Sequence, residues 1–296
     1  MPNQPILYHC PGFLAGCKVY RELLLFRAVH PEYFYEDCIV DTIFDSFPMM
    51  TWNGGGTHMD QPMLLRDIEK LLDYYAELNI SLQLTATNPV LEKIDVYDRY
   101  CNAILERFLE NPINSVLVAS PILEDYIREK YPNAKIDWSI VGTSQPENIN
   151  LDYNDYLDKY NRIVIPRVHG KDFEYLKKID ENKRHKIELL CTDPCPKDCP
   201  RIASHYREYG YAHLYLTSEM NYPCTGVDKN DLMNFEYIED QILYEEFPKY
   251  LELGYNRFKL SGRRNAETVI HNVVKYFVKP EYQYEMVFYL LSRIGR

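Results

Sequence analysis

The chain has 296 residues, of which 46% are hydrophobic and 26% are charged, and its formal net charge is −11. This composition is typical of a globular protein that buries a large core. An acidic chain without a basic run is a poor candidate for general nucleic-acid binding. No apolar run is long enough to span a membrane, and no basic segment precedes an apolar stretch at the start of the chain, so we expect a cytoplasmic protein.

Short apolar runs alternate with helical patterns along the chain. Continuous apolar runs are typical of parallel strands that helices cover. Repeated eight times, this alternation predicts a closed (β/α)₈ barrel of the TIM type, as a single domain over residues 1–296. An open doubly wound sheet is the rival, but no glycine-rich phosphate motif follows the first strand. The predicted strands are Ile6–His9, Cys38–Asp45, Ile80–Thr85, Ser115–Ala119, Ile136–Val141, Ile163–Ile165, Lys186–Cys191 and Arg257–Ser261.

The helices between these strands are predicted from apolar stripes at helical spacing, as in Leu64–Leu72. The segment between strands seven and eight, residues 192–256, is much longer than the other connections. We expect an irregular barrel in which this insertion passes over the mouth. The predicted helices are Pro62–Leu78, Tyr97–Leu109, Pro121–Lys130, Asp172–Ile179 and Ala266–Val278.

Four cysteines are concentrated in this insertion and at its start. Cys191, Cys195 and Cys199 are each separated by three residues, and Cys224 follows in the sequence Asn-Tyr-Pro-Cys-Thr-Gly. Disulfides are rare in a reducing compartment, so the spacing favours metal binding. Prolines between the thiols stiffen the loop and lower the entropic cost of holding ligands in place. Cys191, which ends the strand, is the least certain ligand.

Four thiolates suit either a tetrahedral zinc or an iron–sulfur cluster. The alternative is that these cysteines are core residues, because free cysteine is often buried. The polar and proline-broken surroundings weaken that alternative.

Several polar side chains follow the predicted strands, at the end of a barrel where active sites lie. Arg167 and Arg263 are candidates for holding an anionic substrate, because long cations at a mouth bind carboxylate or phosphate. His169 and Asp45 are candidates for proton transfer. The alternative is that Arg167 and Arg263 form internal ion pairs with Asp41, Asp45 or Glu188 and only close the barrel.

Three blocks of the sequence resemble the peptidase U32 family and its barrel-shaped relatives. The blocks are Ile163–Arg167, Ile187–Arg201 with the nearby His205-Tyr206, and Phe258–Arg263. The second block has the family's Cys-x₃-Cys-Pro-Arg pattern at Cys195–Arg201. The resemblance implies a barrel and, in several members, a [4Fe–4S] cluster bound by four cysteines. Some members with a cluster take part in oxygen-independent hydroxylation.

The sequence leaves three functions open. The first is an iron–sulfur enzyme of the U32-like type that acts on a small anionic or nucleotide-like substrate. The second is a zinc-dependent hydrolase with Asp45 or His169 as general base, although all-cysteine sites are usually closed and structural. The third is a non-catalytic barrel in which a metal only holds the long loop.

Overall fold

A computed structural model of the protein describes residues 4–55, 61–192, 195–217, 232–236, 240–263 and 265–295. Eight parallel strands in these residues pair in chain order, and the eighth pairs with the first. The predicted closed barrel is therefore confirmed. The strands are β1 (Ile6–Pro11), β2 (Cys38–Asp45), β3 (Ser81–Ala86), β4 (Ser115–Val118), β5 (Lys135–Trp138), β6 (Arg162–Val164), β7 (Ile187–Leu190) and β8 (Arg257–Lys259).

The helices surround this barrel, but not as eight equal units. The connection from β6 to β7 carries two short helices, the described part of the connection from β7 to β8 carries one long and one short helix, and one helix follows the eighth unit. This confirms the irregularity that the sequence predicts. The helices are α1 (Cys17–Val29), α2 (Leu65–Glu77), α3 (Arg99–Leu109), α4 (Pro121–Lys130), α5 (Ile140–Thr143), α6 (Arg167–Gly170), α7 (Phe173–Lys178), α8 (Ile202–Leu214), α9 (Phe247–Glu252), α10 (Ala266–Phe277) and α11 (Gln283–Ile294).

Helix starts follow the capping residues in the sequence. The side chain of Asp98 accepts a hydrogen bond from the first turn of α3, and Asn265 does the same for α10. Ser139 caps α5 in this way, which corrects one predicted boundary. The apolar run Ile136–Val141 contains a strand that ends at Trp138 and the start of a helix, because both elements are buried there.

The apolar core lies between the strands and the helices. Tyr8 is fully buried and packs against the rings of Phe247, Tyr276 and Phe277. Side chains alternate along a strand, so the neighbouring residues on β1 point into the barrel. One of them is His9, which is also fully buried. The interior of the barrel is therefore polar where the outer layer is apolar.

The connection between β7 and β8 crosses the carboxyl-terminal mouth of the barrel. The amide nitrogen of Asn88, after β3, donates a hydrogen bond of 2.9 Å to the carbonyl of Gly210 in α8. The side chain of Arg207 in α8 reaches Gln145, after α5, at 3.3 Å. These contacts place α8 over the loops that follow β3 and β5, as expected for an excursion over the mouth. Among the described helices, none is long and apolar enough to cross a membrane.

Candidate active site and cysteine loop

The cysteine loop begins directly after β7, on the mouth side of the barrel. Cys195 and Cys199 are both half-buried, and neither forms a disulfide. The backbone amide of Cys199 bonds to the carbonyl of Pro196 at 3.2 Å, and Ile202 at the start of α8 bonds to the carbonyl of Cys199 at 3.2 Å. The loop is thus a series of tight turns that leads into α8. Two cysteines on such a loop fit part of a thiolate metal site.

Cys191 occupies a different environment. Its backbone amide bonds to the carbonyl of Lys259 at 2.8 Å and so continues the strand ladder. Glu188 points into the barrel, and alternation turns the side chain of Cys191, three residues later, to the outer face. The thiol is buried in the apolar core, where burial raises its pKa well above the usual value. This placement favours packing over metal binding, and its role as a ligand stays a prediction.

Cys224, the fourth predicted ligand, lies outside the described residues. Within the parts of the chain that the structure describes, no three His, Cys, Asp or Glu side chains form a group that could hold a metal ion. The metal prediction therefore depends on how Cys195 and Cys199 combine with Cys224.

Arg167 connects the cysteine loop to the neighbouring strand. It is the first residue of α6, directly after β6, and it is partly exposed. One guanidinium nitrogen donates a hydrogen bond of 2.9 Å to the carbonyl of Cys195. This contact places the arginine beside the cysteine loop. Substrate binding by Arg167 stays a prediction.

Arg263 follows β8 and is buried at the mouth, and its guanidinium is engaged within the protein. One nitrogen lies 3.2 Å from the carboxylate of Asp45 and also contacts Thr85. The other donates to the side chain of Asn53 at 2.8 Å and to the carbonyl of Gly55. The ion pair with Asp45 is the kind of internal contact that the alternative describes, and substrate binding by Arg263 stays a prediction.

The carboxylate of Asp45 is also fully engaged in contacts within the protein. One carboxylate oxygen accepts from the backbone amide of Leu14 at 3.2 Å, and the other accepts from the amide of Ser46 at 2.9 Å as well as from Arg263. The residue is fully buried. A carboxylate held by these donors is poorly placed to accept a proton from a substrate. Its predicted role as a proton-transfer group is not supported by these contacts.

His169 lies on α6, near the predicted position at the mouth. Its Nε2 atom is 2.9 Å from the carbonyl of Ile149, which requires the ring to donate there. The imidazole stacks on the ring of Tyr175 at 3.8 Å. The stacking and the hydrogen bond fix the ring orientation and leave Nδ1 as the remaining polar atom. Proton transfer by His169 stays a prediction.

A buried hydrogen bond holds α8 on the mouth. His213, in the last turn of α8, is 1% exposed and its Nε2 atom lies 3.1 Å from the amide nitrogen of Asn53. The amide oxygen of Asn53 is bound by Arg263, so its nitrogen is the donor to His213. Gly210 allows a close approach, because a Cβ there would lie 2.5 Å from the side-chain oxygen of Asn88. The sequence pattern did not identify this contact, since a single glycine or histidine in a helix has several explanations.

The barrel interior contains a charge network that the sequence pattern also did not identify. His9 Nδ1 lies 2.6 Å from Glu188, and His9 Nε2 lies 3.2 Å from Asp41. Lys259 lies 3.1 Å from Glu188, and Arg257 lies 2.8 Å from Asp41. The signal in the sequence was a titratable residue within each of four apolar runs, at positions where alternation points inward.

The positive charges in this network lower the pKa of its buried carboxylate, Glu188. Burial alone would raise the pKa of Glu188, but the charges of His9 and Lys259 outweigh burial and hold this pKa well below its usual range. Burial lowers the pKa of Lys259, while the charge of Glu188 acts in the opposite direction. A second centre lies at Asp137, which accepts from Gln83 and Ser115, each at 2.6 Å. These contacts fill the barrel interior with paired polar groups, so the chemistry that the arrangement can support lies above them, at the mouth.

Comparison with known proteins gives similarity at the level of structure. No family model and no curated protein matches the sequence. The structure of the U32 peptidase Mk0906 is similar at a TM-score of 0.49 and 12% sequence identity, over 88% of this chain and 93% of that chain. The Bacillus cereus spore cortex-lytic enzyme SleL is similar at a TM-score of 0.36 and 11% identity, over 93% of this chain and 75% of that chain. A U32 peptidase is thus among the solved structures that this chain resembles.

Proposed function

We propose that this chain is an iron–sulfur barrel protein of the U32-like type, with thiolate ligands from the cysteine loop beside the mouth. The observation that supports this most is the pair of half-buried cysteines, Cys195 and Cys199, in a loop of tight turns after β7. Cys224 is the third ligand expected from the sequence. We expect Cys191 to be dispensable, because strand alternation points its thiol into the outer core.

A cluster held there would supply redox chemistry or a binding position at the rim of the mouth. Arg167 contributes a cation next to the loop, and its bond to the Cys195 carbonyl helps fix the position of that residue. Arg207, on the face of α8 that reaches Gln145, adds a second cation on the other side. Two cations beside the mouth favour a small anionic substrate. Hydroxylation without oxygen is one reaction that the family resemblance implies.

The alternatives are a zinc-dependent hydrolase and a non-catalytic barrel with a structural metal. The contacts of Asp45 weigh against the hydrolase, because both of its carboxylate oxygens already accept hydrogen bonds from protein donors. An all-cysteine zinc site would also be closed and structural.

Anaerobic purification followed by iron, sulfide and zinc analysis tests the proposal. The wild-type protein should be brown and contain iron and sulfide, and Cys195→Ser and Cys199→Ser should each lose most of both. Cys191→Ala should keep them, and Cys101→Ser is a matched control because Cys101 is buried in the core away from the loop. Colourless protein with zinc would favour the alternatives. Full iron content in both loop variants would refute the ligand assignment.

A further inference from the structure

The last helix of the chain adds a layer outside the barrel. α11 follows the eighth strand–helix unit and packs antiparallel to α1. Glu22 of α1 accepts a hydrogen bond from the hydroxyl of Tyr289 in α11 at 3.3 Å. Lys18, near the start of α1, reaches the carbonyl of Ile294, at the end of α11, at 3.5 Å. The two helices thus form one outer surface of the protein.

This surface carries four large apolar side chains that are each more than half exposed, and one of them, Tyr284, also touches the ring of Phe235 at 5.8 Å between ring centroids. On α1, Leu25 is 53% exposed and Val29 is 71% exposed. On α11, Tyr284 is 57% exposed and Phe288 is 65% exposed. Each pair is spaced by four residues, so its two members lie on one face of their helix. We call this surface the α1/α11 face.

The apolar area of the α1/α11 face is comparable to that of the largest apolar patch on a typical monomer. A large aromatic side chain carries roughly 200 Å² of surface, so the four side chains together expose on the order of 400 Å². Scattered apolar residues need no explanation, but a patch of this size on a monomer often has a function.

Charged residues are arranged unequally along the α1/α11 face. Lys18, Arg21 and Arg293 are exposed at one end, and Glu281 and Glu285 are exposed at the other. The apolar side chains lie between and beside these two groups. The face therefore has a basic end and an acidic end, although the whole chain carries a net charge of −11.

We propose that the α1/α11 face binds a second copy of this chain in a two-fold symmetric dimer. A two-fold axis perpendicular to the helices places the basic end of one copy against the acidic end of the other, twice over. Arg21 then faces Glu285 of the partner subunit, and the apolar side chains of both copies cover each other. A surface that is complementary to itself in this way fits a second copy better than an unrelated acidic partner.

The area of the α1/α11 face is consistent with a second copy of the chain as its partner. A stable interface buries about 800 Å² on each partner, with an apolar centre and a polar rim. The four apolar side chains supply about half of that area, and the charged residues at the two ends supply a rim. Large exposed aromatics such as Phe288 are the residues on which binding usually depends most.

Analytical ultracentrifugation of the full-length protein across a concentration series tests the proposal. The wild type should dimerise, and Phe288→Asp should raise the dissociation constant at least about 10-fold. Ile94→Asp is the matched control, because Ile94 is 71% exposed on a different part of the surface. It should leave the dimer unchanged, and circular dichroism should show that both variants are folded.

A charge exchange separates this dimer from other modes of association. Arg21→Glu and Glu285→Arg should each weaken the dimer, whereas the double variant should restore the wild-type constant within about threefold. A wild-type protein that stays monomeric at tens of micromolar overturns the proposal. A dimer that Phe288→Asp does not weaken also overturns it, because association would then use another face. Neither result bears on the metal content of the cysteine loop, so the two proposals fail independently.

Discussion

The substitution Arg263→Lys tests whether the buried arginine closes the barrel or binds a substrate. Lysine keeps the positive charge beside Asp45 but loses the planar fork that also serves Asn53, Thr85 and Gly55. A buried acceptor left without its donor costs about 1–3 kcal/mol. Loss of two such bonds, with part of the ion pair retained, gives an expected decrease of about 3 kcal/mol in the free energy of unfolding. For a chain of this size the midpoint of thermal unfolding should fall by about 6–12 °C.

Urea and thermal unfolding of the wild type, Arg263→Lys and Arg66→Lys measure this effect. Arg66 is 73% exposed and serves as the control, which should unfold within about 0.5 kcal/mol of the wild type. If Arg263→Lys is as stable as this control, the buried contacts do not contribute as argued. Loss of ligand binding in a variant of unchanged stability would instead support Arg263 as a substrate clamp.

Two further predictions concern the mouth and the barrel interior. Gly210→Ala should destabilise the protein by about 1–2 kcal/mol and speed amide exchange in α8, because the new Cβ meets Asn88, even though alanine is the better helix former. Gly170→Ala is its control, since nothing lies within 4 Å of a Cβ there, and equal stability of the two variants would contradict the close packing of α8. For Asp41, burial would raise the pKa, but the hydrogen bond and charge of His9 and the charges of Arg162 and Arg257 hold it below the usual range. Its contribution to stability is therefore fully present above about pH 4 and is lost as the pH falls through the lowered pKa. Asp41→Asn should cost on the order of 2 kcal/mol at pH 7 and progressively less below about pH 4 in urea unfolding, and a cost that is independent of pH would refute the ion-pair explanation.

Most of the fold could be predicted from the sequence. All eight strands could be placed because buried parallel strands form short continuous apolar runs. The apolar run that contains β5 continues past the end of the strand, since Ser139 already caps the helix α5. The strand Ile136–Val141 was predicted too long, because a buried helix start has the same apolar character as a buried strand end. The path of the insertion over the mouth followed from its length alone.

Less of the candidate site than of the fold could be predicted from the sequence. Composition cannot show that Arg263 pairs with Asp45, because the two residues are far apart in the chain and meet only when β2 and β8 are both in the barrel. Because side chains alternate along a strand, an inward-pointing Glu188 means that the side chain of Cys191 points outward, away from the cysteine loop. This orientation could be predicted from the sequence once the direction of Glu188 was known. His9 and Lys259 were overlooked because single charges in apolar runs are usually discounted.

The charged interior has a consequence for how this barrel can fold. His9 and Asp41 come from the first two strands, whereas Glu188 and Arg257 come from the last two. A fragment that contains only half of the strands would keep one ion pair, His9–Asp41 or Lys259–Glu188, but would lose the two pairs that join the first strands to the last, His9–Glu188 and Arg257–Asp41. Stable half-barrel intermediates are therefore disfavoured, and closure of the last strand against the first becomes the step that makes the charged interior stable. Gene fragments that encode either half should be insoluble when expressed alone and should recover solubility when expressed together.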